Sequence, residues 1–323
     1  MPSQNIEKTR ARMQLRIQEG QYYEAHQQLR VVSQRYVKAK NYDAAIDILT
    51  SGANALFKAG QSASAGDICL LILDVYRTAS KKPDQDSKAR IIELLSQLPS
   101  TEPIRKRFIT ESIAWTSKFG IYPAGDPFLH HYIGTLLVSE HDYYEAERHL
   151  LLGTPASAST LATALFNWYQ HDSPHTAALY ISRAVFPYLL LGNLRDAHTA
   201  LKIFTEKLVE KAEKTGLVVQ TIEDVKYGTV KVFPSLPGVN FLTLLVLSAA
   251  PGGREVWQFL EGHYQTVLRE APWWKEALEQ IGESYFDVKI RRQTNILDMM
   301  GSLFGGPGPQ QQAIGGPGGH DLD

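Results

Sequence analysis

The chain holds 323 residues, of which 44% are hydrophobic and 21% charged, with a single cysteine, Cys69. A chain this long and this apolar buries at least one sizeable core, which excludes wholesale disorder, and one thiol closes no internal disulfide. The formal net charge of −1 averages over a polarity, +6 in residues 1–120 and −7 in residues 121–323, so the two halves are expected to attract different partners.

The first residues, MPSQNIEKTRARMQ, lack the apolar centre of a secretory leader, and the expectation is a cytosolic or nuclear protein. Five short turn units then recur: Gly20-Gln-Tyr-Tyr-Glu-Ala25, Lys40-Asn-Tyr-Asp-Ala-Ala45, Gly60-Gln-Ser-Ala-Ser-Ala65, His141-Asp-Tyr-Tyr-Glu-Ala146 and Gly192-Asn-Leu-Arg-Asp-Ala197. The chemistry of such a unit is simple: a Gly or Asn tolerates the left-handed backbone that ends a helix, an aromatic or Leu plugs the gap, and Ala lets the antiparallel partner approach. Ala25, Ala45 and Ala65 fall twenty apart, not at the ~34 of a regular tetratricopeptide array, so single helices follow one another. Tyr22, Ala25, Leu29, Val32 and Tyr36 form one apolar stripe at helical spacing, and Ala45, Ile46, Leu49, Ala53, Leu56 and Phe57 form the next. Thr154-Pro155 and Ser173-Pro174 read as helix starts, a hydroxyl to cap the free amides and a proline in the first turn. The spacing predicts helices near 4–18, 21–39, 42–59, 62–79, 86–97, 102–119, 126–139, 142–152, 155–170, 174–190, 193–214, 238–249, 253–270 and 273–288.

One stretch, Leu217 to Pro237, breaks this pattern: its β-branched residues flank a Tyr-Gly turn and predict a hairpin, which is marginal in water by itself and must lean on helices or take up a partner segment. Phe241 to Ala250 is the longest apolar run, about half the ~20 residues of a membrane-crossing helix. Beyond Gly301 the composition collapses to Gly, Pro and Gln, and residues 301–323 are expected to be disordered. The fold expected is all-α, an irregular tetratricopeptide-like α-solenoid of antiparallel helices with one β-hairpin in the C-terminal half, divided into residues 1–150 and 151–300.

The chemistry in the sequence is sparse. His130, His131, His141 and His149 cluster with Asp126, Glu140, Asp142, Glu145 and Glu147, but in no standard zinc spacing, and they read as solvated or capping side chains. No phosphate-cradling glycine loop follows a predicted strand, Cys69 sits on an apolar stripe, and the basic residues of the first half are scattered rather than massed, so no cofactor, catalytic residue or nucleic acid is expected.

Several strings in register carry a resemblance: Gly20-Gln-Tyr-Tyr-Glu-Ala-His-Gln-Gln-Leu-Arg30, Arg35-Tyr-Val37, Gly125-Asp-Pro-Phe-Leu-His130, Tyr144-Glu-Ala-Glu-Arg148 with Leu152-Gly-Thr154, and Gln293-Thr-Asn-Ile-Leu-Asp-Met-Met300. Together, from about residue 16 to 306, they resemble the Golgi-to-ER traffic protein four family, the adaptor of tail-anchored protein targeting. The resemblance implies a non-enzymatic cytosolic bridge. Its N-terminal half would bind a homodimeric targeting ATPase and favour the nucleotide-bound, client-ready form. Its C-terminal half would clasp a ubiquitin-like-domain adaptor, which recruits chaperones holding the client. Carried over residue by residue, it implies ATPase contacts at Arg16, Tyr22, Arg35 and Lys38, with Asp67 and Asp74 as acidic contacts. Lys38 departs from an expected Arg, which is not equivalent at a bidentate contact. The adaptor would insert into a groove lined by Val230, Val232, Phe233, Leu242, Leu245 and Val246. The stripe Ile296, Leu297, Met299, Met300, Leu303 and Phe304 is read first as a cap on the last helix and second as a partner surface. The alternative reading is a generic tetratricopeptide-like platform that binds a peptide tail.

Overall fold

The structure is a computed structural model and describes residues 2–225 and 228–288. The expectations for Gln293–Met300 and for the 301–323 tail fall outside the described residues. Eleven α-helices come first: α1 (Pro2–Gln18), α2 (Tyr22–Lys38), α3 (Tyr42–Lys58), α4 (Ser62–Thr78), α5 (Gln85–Gln97), α6 (Ile104–Phe119), α7 (Pro127–Ser139), α8 (Tyr143–Leu150), α9 (Pro155–Tyr169), α10 (Ala177–Leu190) and α11 (Leu194–Thr215). An antiparallel hairpin follows, β1 (Gln220–Asp224) and β2 (Gly228–Val232), with Ile222 opposite Val230. The chain then adds α12 (Pro237–Ala249), α13 (Arg254–His263), α14 (Gln265–Glu270) and α15 (Lys275–Tyr285).

Most helices pack on a chain neighbour and many also on the helix two places along, α1 on α3, α2 on α4, α4 on α6, α7 on α9, α9 on α11 and α10 on α12, which makes two layers. Polar bridges tie partners within a layer at a regular offset: Arg30 to Asp67 across 37 positions, Arg77 to Glu111 across 34, Lys88 to Asp126 across 38 and Arg183 to Glu147 across 36. The ~34-residue tetratricopeptide period is therefore present in space as two helices and two turns, although the alanines repeat every helix.

The turn chemistry explains why the helices stack. Ala25, Ala45, Ala65, Ala146 and Ala197 are all 0% exposed, each admitting a neighbouring backbone where a larger side chain would hold it off. Tyr22, Tyr42 and Leu194 pack partly buried against the same core. The left-handed position is the first residue of each unit, whether glycine or not: Gly60 has φ 72°, while Lys40 and His141 adopt 57° and 63°. Asn41 and Asn193 were expected to ease that conformation and instead start the next helix, their side chains accepting from the amides of Ala44 and Asp196. A short carboxamide is an acceptor placed where free amides need one. A sixth turn of this kind, at Ser80 (φ 50°), carries no Ala or aromatic signature and was not legible; Asp84 and Ser87 form a capping box after it.

Prolines mark two starts as expected, but neither the Thr154 nor the Ser173 side chain bonds the free amides, so the fixed φ of Pro155 and Pro174 sets those positions. After Pro174 comes a single 3-10 turn before α10. The helix expected over 253–270 is divided at Tyr264, which has φ −101° and ψ 22°. The core runs from Met13 to Phe286 without a break at residue 150.

Candidate protein-interaction sites

The hairpin stands against α11, α12 and α13. Its root is fixed by Asn240, whose side chain accepts from the Phe233 amide and donates to the Phe233 carbonyl, both at 2.9 Å. Alternation along β2 turns Val230 and Val232 to one face. Val230 lines two adjoining cavities, one of about 470 Å³ with α11 and α12 and one of about 420 Å³ with α12 and α13, and Val232 lines the second. Thr243, Leu244 and Leu247 of α12 form the floor, and Val256, Phe259 and Leu260 of α13 form the far wall of the second cavity. Phe259 is 62% exposed and Ile222 53%, so the rim of this groove presents apolar surface to solvent. Among the described residues the sheet has two strands, and the outer edge of β1 is open to a further strand.

Val230 and Val232 thus lie where the sequence placed them, and Val246, 2% exposed, reaches the wall of the first cavity. Phe233, Leu242 and Leu245 do not line the groove: each is 0% exposed and belongs to the core beneath it. On α12 the polar residues Asn240, Thr243 and Ser248 share the face that Leu244 and Leu247 present to the groove, while Leu242 and Leu245 lie on the opposite, buried face, so the helical period marks the inward side. Leu244, Leu247 and Phe259 line the groove and were not among the expected residues; the polar positions of α12 and the Val256–Phe259 spacing on amphipathic α13 carried the signal for them.

At the other end, the six ATPase-contact residues do not form one patch. α2 and α4 run parallel with α3 between them, and the Arg30–Asp67 contact at 3.5 Å marks their register, which places Lys38 about level with Asp74. Arg35, Lys38 and Asp74 are exposed and share that edge. Arg16 and Tyr22 are half-buried at the α1–α2 turn, about 24 Å away along α2. Asp67 is not a free acid: Arg30 Nη1 and His26 Nε2 stand at 3.5 and 3.3 Å from its carboxylate. Asp74 accepts from Arg77 at 3.0 Å while remaining 62% exposed.

The histidines of the middle region separate. His141 sits in the turn before α8, bonds Tyr143 Oη at 2.9 Å and is not on a helix face with His149. His131 Nδ1 bonds the buried Ser157 hydroxyl. His130 Nε2 lies 3.1 Å from the Ala124 carbonyl, which only accepts, so that nitrogen carries the proton; His130 Nδ1 is then the acceptor for His149 Nδ1–H at 3.0 Å. Among the described residues no group of three or more His, Cys, Asp or Glu is placed to hold a metal ion. Burial depresses both rings, and His149, which also faces His130 and Arg148, is pushed down to about 4. Because the folded values lie below the ordinary 6.5, stability is full above that pH and falls as protons bind the unfolded chain preferentially between about 6.5 and 4. We expect a loss on the order of 2 kcal/mol across that window, read as the difference in pH slope of urea midpoints between wild type and His149→Gln. Parallel slopes would remove the pair from the acid response.

The architecture is that of an irregular, tetratricopeptide-like α-solenoid carrying one hairpin-walled groove, and among the described residues no helix is long and apolar enough to cross a membrane. A family model for Golgi to ER traffic protein 4 matches residues 39–304. Golgi to ER traffic protein 4 of Aspergillus fumigatus is 48% identical over 316 residues, 93% of this chain and 90% of that protein, and that of Schizosaccharomyces pombe 34% over 289 residues, 88% and 91%. The crystal structure of C. therm. Get4 superposes with a TM-score of 0.85 at 45% identity, over 97% of this chain and 100% of that one. The chain belongs to the Golgi to ER traffic protein 4 family.

Proposed function

We propose that this protein is a non-enzymatic cytosolic scaffold that brings a tail-anchored-protein targeting ATPase, held by residues 1–150, to a ubiquitin-like adaptor, held by residues 151–300, and so promotes client handover for insertion into the ER membrane. Family membership supports the role in Golgi-to-ER traffic, and the groove on either side of β2 carries the reading, because an apolar wall with an open strand edge suits an extended or helical segment of another chain. The basic first half suits an acidic ATPase surface, where rim charges set the on-rate and register more than the affinity.

Val232→Asp sets an unpaired carboxylate against the apolar wall and is expected to weaken the adaptor about 100-fold in a calorimetric titration, with the ATPase still bound. Arg35→Glu with Lys38→Glu is expected to do the reverse, weakening the ATPase and flattening its dependence on salt. If both partners survive Val232→Asp, the groove is not the adaptor site; if the ATPase affinity of the double variant matches wild type at every salt concentration, the α2–α4 edge is not its seat.

A further inference from the structure

In a solenoid each helix is covered by its successor, and the last one needs a cap. The final described helices leave an apolar groove of about 520 Å³ between α13, α14 and α15, lined among others by Trp257, Leu260, Leu268 and Leu278. The chain leaves α15 at one end of it: Phe286 packs on Trp257 with ring centres 5.2 Å apart, and the Val288 amide donates to the Gly282 carbonyl at 3.2 Å. A further 35 residues follow Val288. Within 289–304, Ile296, Leu297, Met300, Leu303 and Phe304 recur at three- and four-residue spacing, and Lys289, Arg291 and Arg292 outnumber Asp298. The helices flanking the groove have the opposite balance, with five glutamates on α13 and α15 against Arg254 and Lys275. The family match ends at residue 304, so it includes this stripe and stops before the Gly/Pro/Gln tail.

We propose that residues 289–304 fold back over α13 and α15 of the same chain and seat Met300, Leu303 and Phe304 in this groove as the cap of the solenoid. Hydrogen exchange on the full-length protein tests it. In Leu303→Asp/Phe304→Asp, amides of α13 and α15 are expected to exchange at least about tenfold faster than in wild type, and the melting temperature to fall by about 3–6 °C, while α3 and α4 exchange as before. Met300→Ser, a milder change, is expected to move the same amides less. A synthetic 289–304 peptide should protect the double variant and leave wild type unaffected, and deletion of 305–323 should alter nothing. Unchanged exchange in both variants overturns the proposal. So does protection in wild type that rises with protein concentration, which would seat a second copy there, or that appears only on adding the adaptor, which would keep the groove for a partner.

Discussion

Glu140→Ala is expected to lower the free energy of unfolding by about 3 kcal/mol. Arg105 on α6 is 5% exposed, and its guanidinium donates two parallel bonds to Glu140 at 2.7 and 2.8 Å, joining α6 to the end of α7. Its Nε is buried and meets no acceptor, so Glu140 supplies all the compensation this cation receives from the chain. Removing one member of a buried pair leaves the other charge desolvated and unpaired, which costs 3–5 kcal/mol; the Glu140 side chain is 27% exposed, and water reaching that side places the loss at the low end. The check is a urea midpoint that falls with an unchanged slope. Adding Arg105→Leu to Glu140→Ala is expected to recover most of the loss, because an apolar pair in the same space has no charge to desolvate. A single variant as stable as wild type would mean the bridge behaves as a surface pair.

The second large effect belongs to Trp115. It is 0% exposed on α6, packs on Tyr76 with ring centres 4.8 Å apart, and donates its indole N–H to the Lys81 carbonyl at 2.9 Å, pinning the α4–α5 connection to the second layer. Trp115→Ala removes the largest fully buried side chain and is expected to cost about 3–5 kcal/mol in cavity and transfer energy. Trp115→Phe keeps most of the volume but leaves the Lys81 carbonyl without its donor, at about 1–2 kcal/mol. Chemical denaturation of the pair separates packing from hydrogen bonding. Equal losses would assign the whole effect to the bond, and a negligible loss in Trp115→Ala would mean the site collapses around the missing ring.

Which residues meet their partners is where reading and structure part. The edge proposed for the ATPase is a case of partial legibility: Arg35 and Lys38 announce themselves as the charged end of an amphipathic helix, yet their nearness to Asp74 depends on how far α4 slides along α2, and that is set by buried packing through α3, with the Arg30–Asp67 contact 37 positions apart marking the result. In the groove, β2 was readable since strands alternate with a period of two and one slip inverts the face. On α12 the signal was weaker, three polar residues, Asn240, Thr243 and Ser248, marking the groove face of an otherwise apolar helix.

The sequence by itself determined most of the helices and turns, the turn at Ser80 and the division at Tyr264 excepted, together with the hairpin and the change of charge along the chain, because each rests on local chemistry: alanine at a close approach, a cap or proline at a helix start, a two-residue period in a strand. The tertiary structure alone decided that Phe233 belongs to the core beneath the groove, that Asp67 on α4 meets Arg30 on α2, and that two helices make one repeat. Those facts rest on packing between separate elements, where local propensity does not choose the partner.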